Sequence, residues 1–282
     1  MTAVFSPRFK QVDRDAEHPT YMQRMPFPHG AYDGLIDPEA ITAAMEAFPG
    51  PDAPGWTHYV HFNERKHANT RLDSWPEPLQ VLATELMSPE FVGFLEQLTG
   101  IDGLLADPEM DGGGLHMTEP GGHLNIHADY TKHHTHPDWQ RRVNVLLYLN
   151  AEWDPEWGGA LELWSTDMST RVTAITPAAN RMAIFTTTST SYHGHPEPLR
   201  SPAGVPRRSL ALYYFTAGSH EPARTTHYRS RPTDGWRKVL IYLDGKALRA
   251  YDLIKRRTGF SDKAVSRILG VMNRRRRGPS RG

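Results

Sequence analysis

Between about residue 112 and residue 216 the chain is a succession of short apolar or alternating segments: GGHLNIHADY, RVNVLLYLN, GGALELW, TAITP, RMAIFTT and RRSLALYYFT. Glycine, proline and polar residues break the chain between them, and this punctuation constrains the fold more than any other feature. Segments this short, rich in Val, Ile, Leu and Tyr, are strands fitted to a pleated, partly buried surface. Strands that follow one another with only turns between them argue for a sandwich or jelly roll rather than a βαβ sheet.

The flanks read differently. In IDPEAITAAMEAFPG, Asp37 is a cap, Pro38 suits the first helical position, and Ile41, Met45 and Phe48 recur on one face before Pro49. Further along, PEPLQVLATELMSPEFVGFLEQLTG supplies two more helices, the first with Leu79, Leu82 and Leu86 on its face. Ser88 caps the second, Pro89 opens it, and Phe91, Phe94, Leu95 and Leu98 precede Gly100. The first third is therefore expected to be helices joined by Pro-rich loops. After Ala217 the pattern turns helical again and basic, with 17 Lys/Arg against 5 Asp/Glu in residues 221–282. Three regions follow: a helical scaffold over 1–111, a β core over 112–220 and a basic helical extension over 221–282.

Charge and cysteine content narrow the chemistry. The 32 Lys/Arg match the 32 Asp/Glu, so no global field steers the chain to nucleic acid or a membrane. With no cysteine, disulfides, thiolate metal sites and cysteine nucleophiles are excluded, and any metal must be held by His, Asp or Glu. The opening MTAVFSPRFKQVDRD lacks the apolar stretch of a signal peptide and no apolar run is long enough to span a bilayer, so a cytoplasmic protein is expected.

Side chains two apart in a strand project to the same side, so His127 and Asp129 in IHADY can address one atom while Ala128 faces away. A third ligand is available several strands later in SYHGHPEPL, from His193 or His195. Two histidines and one carboxylate form the facial triad of non-haem Fe(II) oxygenases. The strand that follows, RRSLALYYF, begins with arginine, whose planar fork can hold a carboxylate bidentately.

In this order of motifs (H-x-D, RRVNVLLYLN, W-x-x-x-W-G-G-x-L-x-L, I-x-P, RMAIF, SYH, R-x-S-L-x-L-Y-Y) the chain resembles the Fe(II)/2-oxoglutarate-dependent dioxygenases, within them the prolyl-4-hydroxylase-like group. The resemblance covers roughly Gly112 to Thr216. It carries the metal and catalytic triad onto His127, Asp129 and His193, with His195 at a position the family usually fills with a hydrophobic residue. Arg207 matches the arginine that binds the distal carboxylate of 2-oxoglutarate, Arg208 being the neighbouring alternative, and Tyr148 matches a tyrosine that helps hold that carboxylate. The resemblance implies α+β architecture with a mostly β core, a double-stranded β-helix (jelly roll) with N-terminal and C-terminal flanking helices. It also implies Fe(II), 2-oxoglutarate and O2, ascorbate as reductant, and hydroxylation of an unactivated C–H with release of succinate and CO2. The substrate is a small molecule or peptide: a prolyl residue, an amino acid, a sugar or a natural product. Asp129 argues against the related halogenases, which lack this carboxylate, while Tyr213 and Tyr214 stand where the nucleic-acid demethylases carry a second arginine.

Two other classes compete: a catalytically silent jelly roll binding metal or sugar, and a nucleic-acid-binding module using the Arg-rich tail. His116 and His123 are candidates for touching cosubstrate or substrate; His133, His134 and His136 read as lid or surface residues. Trp153, Trp157 and Trp164 read as packing, Gly158–Gly159 as a turn. DGGGLHMTEPGG lacks the G-K-S/T ending of a phosphate loop and reads as a turn. SDKAVSRILGVMNRRRRGPSRG is a candidate docked helix with a basic end that could meet an anionic partner.

Overall fold

The computed structural model describes residues 3–219 and 222–258. The chain enters through α1 (Pro7–Gln11) and α2 (Arg14–Gln23), followed by strand β1 (His29–Asp33) and α3 (Pro38–Glu46). A hairpin of β2 (Thr57–Val60) and β3 (Glu64–Asn69) precedes α4 (Glu77–Leu86) and α5 (Pro89–Thr99). After β4 (Leu105–Ala106) come β5 (Gly114–Thr118), β6 (His123–Ala128), β7 (Gln140–Tyr148), β8 (Leu161–Trp164) and β9 (Arg171–Ile175). The chain continues through β10 (Arg181–Thr186), β11 (His193–His195), β12 (Arg207–Thr216), β13 (His227–Tyr228) and α6 (Arg237–Thr258).

The helix ends follow the local chemistry. Asp37 accepts hydrogen bonds from the N–H groups of Glu39 and Ala40, Ser88 accepts from Phe91 N–H, and Gly100 closes α5 at φ 68°. The strands pair in antiparallel fashion in the order β1-β10-β7-β12-β5-β3-β6-β11-β8-β9, with β2 on β3, β4 on β12 and β13 on β6. Because β3 bonds both β5 and β6, the sheet turns back on itself, giving the jelly roll expected.

Strand alternation then divides the interior. Val143, Val145 and Leu147 of β7 and Leu210, Leu212 and Tyr214 of β12 join the core beneath the helices, where Phe9, Phe91 and Phe94 pack as a ring cluster. Each fully buried phenylalanine there contributes about 1.5–3 kcal/mol by removal from water. Their alternates, Asn144 and Leu146 of β7 and Arg207 and Ser209 of β12, face the inside of the roll. That side holds the polar chemistry.

Two sequence readings change. The first third is not only helical: β1 pairs β10 at one end of the sheet, and β3 completes the roll. The segment ERKHAN of β3 shows no apolar alternation because its inward face lines a polar cavity rather than the core. DGGGLHMTEPGG is a turn only at its ends; β5 lies within it, with Gly112 and Gly114 at positive φ. The C-terminal flanking helix is α6, held by buried Ile241, whereas the amphipathic segment from Ser261 and the Arg274–Arg277 run lie outside the described residues. No described helix is long and apolar enough to cross a membrane.

Candidate metal centre

Pairing of β6 with β11 sets His127 directly opposite His193, with ring centroids 4.5 Å apart. Two residues after His127, just past the end of β6, Asp129 turns to the same side; one ligand atom from each of the three lies within 4.8 Å of the others. Each histidine donates its Nδ1–H to a backbone carbonyl two residues earlier, His127 to Asn125 O and His193 to Ser191 O, both at 2.9 Å. With Nδ1 committed, the lone pair sits on Nε2, which is 3.4 Å from Asp129 Oδ1 in His127 and 3.5 Å from Oδ2 in His193.

Asp129 is largely withdrawn from solvent, which by itself would favour the neutral acid. Arg141, His193 and His127 outweigh burial and hold the carboxyl well below the usual carboxylate range. Asn144 Nδ2 donates to Oδ2 at 2.8 Å, and Arg141 Nη2 stands 3.1 Å from the same oxygen. Burial pushes His193 down to about 4, so its imidazole is neutral at physiological pH. Two imidazole nitrogens and one ionised oxygen, pre-oriented by backbone, make a donor set that fits Fe(II).

His195 does not join this cluster. It is buried on the same cavity, near Arg207, and its Nδ1 has no hydrogen-bond partner among the described residues. Arg207 Nε donates to Gly159 O at 2.8 Å and Nη2 to Tyr148 Oη at 3.3 Å. No carboxylate pairs with it among the described residues, and burial lowers its pKa. A buried guanidinium without a counter-ion is poised for an anionic ligand. Arg208 points the other way, its guanidinium 5.4 Å from the Phe48 ring.

One cavity of about 190 Å³ joins these parts, lined by His127, Asp129, His193, Arg207 and Ser209 among others. Ser209 Oγ and His116 Nε2 also line it, buried and without hydrogen-bond partners among the described residues. Such orphaned polar atoms call for a polar occupant. His123 does not line this cavity, and its Nε2 donates to Phe62 O at 3.1 Å.

Sequence reasoning missed the wall formed by Glu64 and Lys66 of β3, Arg141 of β7 and Tyr228 of β13. The available signal was the period-2 order of Glu64, Lys66 and Ala68, which reads as a solvated edge when no cavity is known. Of the following histidines, His134 is exposed as expected and His136 half-buried, but His133 is buried. A second cluster, Glu109, His133 and His136, gathers there. His133 Nδ1 already accepts from the N–H groups of Thr135 and His136 at 3.2 Å each, which makes this ring a loop brace.

Residues 113–215 match the family described as the 2OG-Fe(II) oxygenase superfamily. The fold is similar to that of a Pseudomonas putida prolyl-4-hydroxylase, with TM-score 0.52 and 17% identity over 72% of this chain and 98% of that one. It is also similar to a Trichoplax adhaerens prolyl hydroxylase in complex with a hypoxia inducible factor peptide fragment. There the TM-score is 0.53 and the identity 16%, over 74% of this chain and 93% of that one. No curated protein matches the sequence.

Proposed function

We propose, for a chain whose residues 113–215 match the 2OG-Fe(II) oxygenase superfamily, that it uses Fe(II), 2-oxoglutarate and O2 to hydroxylate an unactivated C–H bond, releasing succinate and CO2. His127, Asp129 and His193 would hold the iron. When bound, iron and cosubstrate together supply an oxidising power that no side chain possesses.

The chain's own residues bind, orient and shield. Asn125 O and Ser191 O keep the two imidazoles in the tautomer that offers Nε2. Arg141 and Asn144 keep Asp129 ionised and turned toward the imidazoles. On the far side, Arg207 would receive the distal carboxylate of 2-oxoglutarate, with Tyr148 Oη and Ser209 Oγ as further donors. Burial of these groups limits water at the reacting centre and strengthens each charge interaction.

The observation that carries this reading is the sharing of one cavity by the donor triad and a buried arginine without a carboxylate partner. Succinate formation from 2-oxoglutarate by the purified protein, with Fe(II) and ascorbate in air, is the test. Wild type is expected to turn over, and His127→Ala and Arg207→Ala to lose that turnover. A silent metal-binding jelly roll makes no succinate. If wild type makes none and also fails to bind Fe(II) and 2-oxoglutarate anaerobically, the reading is wrong.

A further inference from the structure

Beyond the triad and Arg207, the cavity has a second charged end. Residues 64, 66, 68 and 70 all line it, as period-2 alternation along β3 requires. Lys66 Nζ lies 3.2 Å from Glu64 Oε2 and 5.7 Å from the centre of the Tyr59 ring. On β7, which lines the same cavity, the Arg141 guanidinium lies 3.3 Å from the centre of the Tyr213 ring and 4.8 Å from that of Tyr130. Arg141 is buried, and its Nη2 makes no well-directed hydrogen bond among the described residues. Lys66, Arg141 and Tyr213 all line this one cavity.

The carboxylates of this wall are already divided. Glu64 serves Lys66, His61 at 2.9 Å and the Tyr228 hydroxyl. Asp129 serves the two triad histidines and Arg141. The fully charged lining residues are therefore three cations, Lys66, Arg141 and Arg207, against two anions, Glu64 and Asp129. Fe(II) and doubly ionised 2-oxoglutarate cancel one another, so a loaded site keeps one positive charge in a largely buried space. An uncompensated buried charge is costly, and a substrate bringing one negative charge removes the cost.

The cavity of about 190 Å³ must also take iron and 2-oxoglutarate, but a second cavity of about 370 Å³ shares Asp129, Tyr130 and Arg141 with it, and that volume suits a small molecule. A prolyl residue inside a peptide is uncharged and would leave the cation unmatched.

Resting on the oxygenase reading above, we infer that the substrate is a small monocarboxylic acid whose carboxylate is received between Lys66 and Arg141. The aromatic rings of Tyr59, Tyr130 and Tyr213 flank these cations and would cover its apolar body.

The probes are short-chain aliphatic and aromatic monocarboxylic acids, their matched primary amides, and a neutral proline-rich peptide. Each is offered to wild-type protein supplied with Fe(II) and 2-oxoglutarate; succinate formation and calorimetric binding are both read. Acids are expected to raise succinate formation and to bind about tenfold or more tighter than their amides. For a responding acid, Lys66→Met should raise KM by about tenfold or more, and Lys66→Arg should recover part of that loss. Amides or the peptide performing as well as the acids overturn the inference, as does a KM unmoved in Lys66→Met. Wild type that turns over 2-oxoglutarate yet ignores every acid overturns it alone. If wild type neither binds nor consumes 2-oxoglutarate, the oxygenase reading falls with it.

Discussion

His127 and His193 are cross-strand partners on β6 and β11, and each donates Nδ1–H to the carbonyl two residues before it, at 2.9 Å. The same local geometry repeated on two antiparallel strands turns both Nε2 atoms toward Asp129. The sheet register, and not a flexible loop, therefore orients the donor set.

From this arrangement, His193 and not His195 is expected to be the distal ligand. His193→Ala should weaken Fe(II) binding by more than the ~10–100-fold that loss of a mere supporting partner costs, whereas His195→Ala should retain the metal. Anaerobic Fe(II) titration of the two variants decides. Retained binding in His193→Ala with loss in His195→Ala would reverse the assignment.

A similar contrast applies to the adjacent arginines. Arg207 faces the cavity beside Tyr148, while Arg208 faces Phe48 on the helix side. Arg207→Lys loses the planar fork and is expected to raise the KM for 2-oxoglutarate by about 10–100-fold, since a charge-assisted hydrogen bond is worth ~1.5–3 kcal/mol. Arg208→Lys should leave that KM within about twofold, because Arg208 does not line the cavity. Steady-state kinetics in 2-oxoglutarate separates the two.

How far the sequence anticipates this can be judged residue by residue. Asp37, Ser88 and Gly100 end their helices as their side-chain and backbone chemistry requires, and the i, i+2 spacing of His127 and Asp129 survives into the fold. Alternation in RRSLALYYF says that only one of Arg207 and Arg208 faces inward, but both faces of β12 are buried, so parity is set by packing of Leu210, Leu212 and Tyr214 under the helices. Glu64 and Lys66 were illegible for the opposite reason. A charged alternating strand looks solvated until β5 and β6 are known to flank it.

Stability should depend on pH through His61. Burial would lower its pKa, but hydrogen bonds to Asp244 and Glu64 outweigh this and raise it from 6.5 to about 9. The charged ring ties the β2–β3 turn to α6, with Asp244 2.9 Å away. A raised folded-state pKa contributes stability that is fully present below about 6.5 and is lost as pH rises through about 9. The contribution is on the order of 3 kcal/mol. Wild-type Tm is therefore expected to fall over that window more than the Tm of His61→Gln; parallel pH profiles for the two proteins would remove His61 from the account.

Gly194, between the two histidines of β11, offers a test of the sheet-register argument that touches no ligand. A Cβ there would lie 2.8 Å from Leu124 O and 2.9 Å from Asn125 O, both backbone atoms of β6 that cannot rotate away. In Gly194→Ala the two strands must therefore move apart. That separates His193 from His127 and shifts Asn125 O, the acceptor that fixes the His127 tautomer. Fe(II) affinity is expected to fall by about 10–100-fold, as it does when the groups supporting a metal ligand are disturbed. Circular dichroism should show the fold retained, because the large core under the helices lies on the other wall. Unchanged metal affinity in a folded Gly194→Ala would mean that the triad is held by something other than the β6–β11 register.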